Sequence, residues 1–135
     1  MSNEHPSFEN LVQMFEQSVE TFADRNLFGV KTEGRYQWAT YREVGEAVDA
    51  FRGGLSSLGV SVGDKVAIIS NNSPMWAIGA YATYGLGAQY VPMYEAQIEK
   101  DWRYILKDSG TKVLLVSTEA IYERTRGFVD ELDEL

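Results

Sequence analysis

Cysteine is absent from all 135 residues. That excludes disulfides, thiolate metal sites and a cysteine nucleophile together, and it agrees with a reducing compartment. Histidine is almost absent as well. The single imidazole, His5, lies in the polar N-terminal tail, where solvation is its expected state. Neither a His–Ser pair nor a histidine metal site can then be assembled inside the domain. Cations are scarce: 12 Lys and Arg face 20 Asp and Glu, a net charge of -8. Such a surface repels phosphate backbones and anionic lipid, so nucleic acid and membrane surfaces are poor partners. Long apolar runs are missing. The best stretch, Pro74 to Pro92, is interrupted by Gly79, Gly85, Gly87 and Pro92. It falls short of the roughly 18 uncharged apolar residues of a membrane span. The opening "MSNEHPSFENL" has neither the basic nor the apolar region of a signal peptide. A soluble, cytoplasmic protein is the expectation.

What is present suits a globular α/β domain spanning 1–135, with 44% hydrophobic residues. Phe8, Leu11, Val12, Phe15, Val19 and Phe22 share one helical face and predict a helix from about Phe8 to Ala23. Ser7 is the expected cap, with Pro6 just outside. "LFGVKTEGRYQWAT" alternates on both sides of Glu33-Gly34 and predicts a hairpin. Thr40 and Glu43 form a capping box ahead of a helix carrying Val44, Ala47, Val48, Phe51, Leu55 and Leu58, closed by Gly59. "KVAIIS", "QYVPMY" and "KVLLVS" read as strands, the first and last as runs buried on both faces. Helices fall between them: Pro74 to about Leu86 behind a Ser73 cap, then Glu99 to Lys107, stopped near Gly110. A last helix, capped by Ser117 or Thr118, would bear Ile121, Phe128, Leu132 and Leu135. Alternation of this kind predicts a parallel sheet inside three layers, with helices on both faces.

Two stretches imitate phosphate loops. "GLGAQY" lacks the third glycine of a dinucleotide motif, and "SGTK" lacks the full P-loop spacing. Both follow a helix and precede a strand. The end of a helix presents carbonyls and partial negative charge, so this order is wrong for an anion. They are expected to be helix terminators. Asn71-Asn72-Ser73-Pro74 has the right order, after a strand and before a helix, at the edge where α/β sheets bind ligands. Helix capping and an Asx-turn already explain all four residues, so Asn71, Asn72 and Ser73 are only weak substrate-side candidates. Trp38, Trp76 and Trp102 are expected in the core. Tyr81, Tyr84, Tyr90 and Tyr94 either line a pocket or bond backbone through their hydroxyls. The carboxylates are expected on solvated helix faces.

Read in order, Thr40-Tyr41-Arg42-Glu43, Gly63-Asp64-Lys65-Val66-Ala67, Asn72-Ser73-Pro74-Met75-Trp76, Gly87-Ala88 with Val91-Pro92-Met93-Tyr94, and Tyr104 to Ser109 carry a family pattern. From Trp38 to Ser117 the chain resembles the N-terminal region of the adenylate-forming (AMP-binding) enzymes, most of all long-chain fatty acid–CoA ligases. Met75 stands where that family often has Glu. The resemblance implies an incomplete part of the acyl-CoA synthetase N-terminal domain: a parallel three-layer α/β sheet with an N-terminal helix and hairpin. It implies ATP, Mg²⁺ and coenzyme A for the full-length family, which activates an acid to an acyl-adenylate and transfers the acyl group to the thiol. The family's Ser/Thr/Gly-rich loop, Thr–Glu pair, ribose-binding Asp and C-terminal Lys have no counterpart here. No residue is therefore carried over as catalytic, cofactor-binding or metal-ligating, and the chain alone is expected to be inactive.

Three readings stay open from the sequence. The first is an N-terminal fragment whose partner is the remainder of the synthetase. The second is a free-standing, non-catalytic interaction module that self-associates through an uncovered sheet edge. The third is an unrelated flavodoxin-like carrier, for which only Ser70 to Pro74 could hold a phosphate.

Overall fold

The computed structural model describes residues 7–135. Its elements are α1 (Leu11–Phe22), β1 (Asn26–Thr32), β2 (Arg35–Thr40), α2 (Tyr41–Ser57), β3 (Lys65–Ile69), α3 (Pro74–Gly85), β4 (Gln89–Met93), α4 (Glu99–Ser109), β5 (Val113–Val116), α5 (Glu119–Thr125) and a 3-10 turn (Arg126–Asp130). His5 and Pro6 lie outside the described residues. β1 and β2 form an antiparallel hairpin, and the other strands form a parallel sheet in the order β4-β3-β5.

The centre is β3. Continuous apolar character lets it bury both faces, and Val66, Ala67 and Ile69 are fully enclosed. Val66 points into a core made by Phe15 of α1, Val44, Val48 and Leu55 of α2, and Ile78 and Ala82 of α3. Ala67 and Ile69 point the other way, onto Met93, Trp102, Leu106, Ile121 and Phe128. The sheet is thus the middle of three layers, as the sequence predicts. Two arginines close the second core from outside. Arg124 lies 4.4 Å over the Trp102 ring and pairs with Glu99; Arg103 lies 4.4 Å over Phe128 and pairs with Glu131.

Local chemistry sets the element ends. Thr40 and Glu43 make both arms of the capping box, with Glu43 Oε2 accepting from the Thr40 N–H at 2.8 Å. Glu33 and Gly34 both adopt positive φ, which a tight hairpin turn requires. Ser73 caps α3 with Pro74 in its first turn. Gly79 instead permits close packing. A Cβ there would sit 2.7 Å from the Tyr90 hydroxyl, so α3 can approach β4 only without a side chain at that point.

Four expectations need correction. The first helix begins at Leu11, not Phe8, because Asn10 accepts from the Gln13 N–H at 2.9 Å while Gln13 accepts from the Glu9 N–H at 2.7 Å. Those two bonds cap the helix three residues later than Ser7 would, and leave Phe8 37% exposed. Trp38 is not core but 54% exposed. Its hairpin has only two strands, no second layer covers its side of β2 among the described residues, and its ring lies across Gly29 and stacks on Tyr36 at 5.6 Å. Leu58, expected on the apolar face of α2, caps the helix instead and is 64% exposed. The last helix is not continuous. Thr125 turns its hydroxyl back onto the Ile121 carbonyl at 2.8 Å, Gly127 follows, and Phe128 reaches the core from a 3-10 turn.

The contrast between two tryptophans is testable. Trp102→Ala should lower stability by about 3–5 kcal/mol, as loss of a buried aromatic does. Trp38→Ala should cost less than about 1.5 kcal/mol, since only its stacking and partial cover are lost. Urea denaturation followed by circular dichroism measures both.

Candidate functional site

Parallel pairing brings three carboxyl ends to one edge. Ile69 of β3 pairs with Met93 of β4 on one side and Val116 of β5 on the other. The next residues therefore converge: Ser70-Asn71, Tyr94-Glu95 and Ser117-Thr118. All of these but Tyr94 rim a cleft of about 580 Å³ whose walls are Phe51, Ile68, Met75 and Leu115. The cleft is apolar in its depth and polar at its mouth, the usual make-up of a small-molecule site.

Glu95 organises that mouth. One carboxylate oxygen accepts the Asn71 backbone N–H at 3.0 Å and the Ser117 hydroxyl; the other accepts the Asn71 side-chain amide at 2.8 Å. These bonds, Ser117 first and then the Asn71 N–H, hold the Glu95 carboxyl below the usual carboxylate range. It is ionised at neutral pH.

The candidates meet different fates. Asn71 is engaged by Glu95. Ser73 is engaged as the α3 cap, accepting the Trp76 N–H at 3.2 Å. Asn72 is exposed and makes no side-chain hydrogen bond among the described residues. Reading the sequence missed Glu95 and Ser117. The available signal was position: both follow directly on an apolar strand, as Asn71 does, and Glu95 is on no helix face.

The two imitation loops behave as terminators. Gly87 takes φ 67° at the end of α3 and its N–H donates to the Tyr84 carbonyl; Gly110 takes φ 63° after α4 and donates to Lys107. Lys112, the lysine of "SGTK", donates to the Gly59 carbonyl at 2.7 Å and pairs with Asp64 at 3.2 Å. That pair and the Ser61 N–H hold Asp64 below its usual range, with the Ser61 bond the larger cause.

Two of the four tyrosines line a second hollow, and Tyr90 packs edge-on against one of them, Tyr84. Tyr81 and Tyr84 line an apolar cavity of about 430 Å³ beneath α1, where Tyr81 stacks on Phe15 at 4.3 Å. Tyr90 donates its hydroxyl to the Trp76 carbonyl at 3.0 Å, and burial pushes the Tyr81 and Tyr90 hydroxyls upward, so both stay neutral. Trp76 is half-buried beside it. Tyr94 departs from the pattern: it is 75% exposed, and its carbonyl accepts the Trp102 indole N–H at 3.0 Å.

A nucleotide triphosphate with its metal does not suit these residues. The mouth of the cleft carries an ionised carboxylate and no cation among its lining residues, so it repels phosphate. Among the described residues there is no grouping of three or more metal-ligating side chains, and no helix is long and apolar enough to cross a membrane.

The same architecture recurs in known proteins. A model of the AMP-binding enzyme family matches residues 15–134. Long chain acyl-CoA synthetase 6, peroxisomal, of Arabidopsis thaliana is 28% identical over 87% of this chain and 18% of its own. Long-chain-fatty-acid–CoA ligase FadD15 of Mycobacterium tuberculosis is 36% identical over 65% of this chain and 15% of its own. Bacitracin synthase 3 of Bacillus licheniformis is 32% identical over 95% of this chain and 2% of its own. The chain thus spans under a fifth of the length of these relatives. Among solved structures, the N-terminal domain of FACL13 from Mycobacterium tuberculosis superposes with a TM-score of 0.83 at 22% identity, covering 95% of this chain and 32% of that one. The anthranilate CoA ligase AuaEII superposes at 0.76 with 25% identity, covering 98% and 25%. Parallel β4-β3-β5 pairing, helices on both faces and a match along almost the whole length agree with one another, and the chain belongs to the AMP-binding enzyme family, whose N-terminal region it matches.

Proposed function

We propose that this chain is the N-terminal framework of an acid–thiol ligase. The whole enzyme activates a fatty acid with ATP to an acyl-adenylate and passes the acyl group to coenzyme A. The chain by itself does not adenylate. The observation that carries this reading is the family match over residues 15–134 in a chain that spans under a fifth of its relatives. The absence of a cation from the carboxyl-edge cleft supports it, because phosphates in flight need fixed positive groups or donors. So does the spread of the relatives. Proteins named as a long-chain-fatty-acid–CoA ligase and as a bacitracin synthase share this region at similar identity, which favours a framework role over a role in choosing the acid. Residues 1–135 act here as one domain, ATP, Mg²⁺ and coenzyme A engage the rest of the protein, and a cytoplasmic setting supplies them. The Asn71–Ser73 rim faces the substrate side, with Asn72 as its free member.

The partner in this reading is the remainder of the synthetase, packing along β5. Among the described residues that strand is paired on one side only, and it is bordered by an apolar hollow of about 310 Å³ holding Leu58, Val113, Tyr122 and Val129. The same edge supports a second reading, a non-catalytic module that self-associates. A stable dimer in sedimentation equilibrium favours the module. A cooperatively folded monomer removes it.

Incubated with ATP, Mg²⁺, a long-chain fatty acid and coenzyme A, the chain should release no pyrophosphate above the enzyme-free blank; release would overturn the inactive framework. Substituted for the matching segment of FadD15, it should retain fatty-acid-dependent pyrophosphate release. At the rim, Ser73→Ala should lower stability by about 1 kcal/mol through the lost helix cap. Asn72→Ala should stay within about 0.5 kcal/mol, because it breaks no bond of the fold. Thermal denaturation separates the two.

A further inference from the structure

We propose that Glu95 is a positioning residue: its one carboxylate ties together the carboxyl ends of all three parallel strands, and the rim of the cleft loosens when that carboxylate takes up a proton. The backbone ladder runs out at this edge. Its last bonds are long, 3.4 Å from the Ser70 N–H to the Met93 carbonyl and 3.2 Å from the Ser117 N–H to the Ile69 carbonyl. One residue further on, the strand ends would diverge with the twist of the sheet. Glu95 bridges them instead. It follows β4, it binds Asn71 after β3 through two donors, and it binds Ser117 after β5 through a third.

The carboxylate is presented from a set turn. The Tyr94 N–H donates to the Gln97 side-chain oxygen at 3.0 Å, and the Gln97 N–H returns to the Tyr94 carbonyl at 3.3 Å. Glu95 therefore does not have to search for its partners. An ionised carboxylate is acceptor-only and can take all three donors. A protonated one turns one oxygen into a donor, so at least one of the three partners loses its acceptor, and the charge that strengthened the rest is gone.

Nothing else at the edge can substitute. Among the described residues lining the cleft, Glu95 is the one charged side chain. The charged groups at the starts of the flanking helices are Glu119 of α5 and Glu99, Lys100 and Asp101 of α4; Glu99 is paired to Arg124, none of the four lines the cleft, and no ion pair among the described residues reaches Glu95. β3 and the start of α3 bring only Ser70, Asn71, Asn72 and Ser73. The tie is thus a hydrogen-bonded carboxylate without a cation. Its folded value is depressed, so its contribution is present above the ordinary glutamate range and is lost as pH falls through the lowered value. The tie stands on hydrogen bonds alone and does not depend on which acid, if any, the cleft receives.

The test is nuclear magnetic resonance on the ¹⁵N-labelled chain without ligand. Between pH 7 and the onset of acid unfolding, the Asn71 backbone amide, the Asn71 side-chain amide and the Ser117 amide should follow one shared titration with a midpoint below 4.5, the ordinary glutamate value. In Glu95→Gln that titration should vanish, and exchange of the Asn71 amide at pH 7 should quicken roughly ten- to hundred-fold, the range that a hydrogen bond to a charged group supplies. Separate midpoints, or unaltered exchange in the variant, overturn the proposal. Should Glu95→Gln fail to fold, Ser117→Ala keeps the carboxylate and removes one donor. The midpoint seen at Asn71 should then rise toward the ordinary value, and a midpoint left where it was also overturns it.

Discussion

The structure depends on the two-sided burial of β3. A strand with no polar residue between Val66 and Ile69 can satisfy its backbone only by pairing on both edges, and its side chains only by cover on both faces. Both demands are met. β4 and β5 supply the edges, and the helices supply the faces. Once β3 is parallel to both neighbours, the carboxyl ends of all three must emerge together. The cleft, its rim and the convergence of Asn71, Glu95 and Ser117 follow from that one constraint.

The rest of the molecule is organised to protect this centre. α2 and α3 lie together over one face, with α1 packed across both, and Gly45 lets Val19 come close at that crossing. On the other face the two arginines over Trp102 and Phe128 shield aromatic surface with guanidinium groups that remain in reach of solvent. Chemistry is sparse by comparison. Most polar groups at the carboxyl edge are occupied with one another, in caps and in the Glu95 bridge, with Asn72 the exception among the described residues. The framework role we propose asks no more of this region than shape and rigidity.

Much of this architecture was legible residue by residue. The Thr40–Glu43 box, the Glu33-Gly34 turn, the Ser73-Pro74 start and the alternating order of elements are local signals, and each appears where its chemistry predicts. The two imitation phosphate loops could be rejected on element order alone, and Gly87 and Gly110 do end helices. The errors over burial share one cause. Phe8, Trp38 and Leu58 have the right residue type for burial, but burial needs another surface opposite, and one chain segment says nothing about what lies across from it. Thr125 is a subtler case, where a hydroxyl competing for backbone and a glycine two residues later end a helix that hydrophobic spacing alone would continue.

The candidate site divides along the same line. Short polar side chains between an apolar strand and a helix start are visible in any linear reading, so Asn71, Asn72 and Ser73 could be singled out. Glu95 and Ser117 could not, because their importance comes from being brought beside Asn71 from 24 and 46 positions away. Periodicity, caps and turns act over a few residues and are written in order along the chain. Which strand ends meet, which tryptophan finds a cover and which carboxylate acquires three donors are set by packing between distant segments, and they come into being only when the sheet has formed.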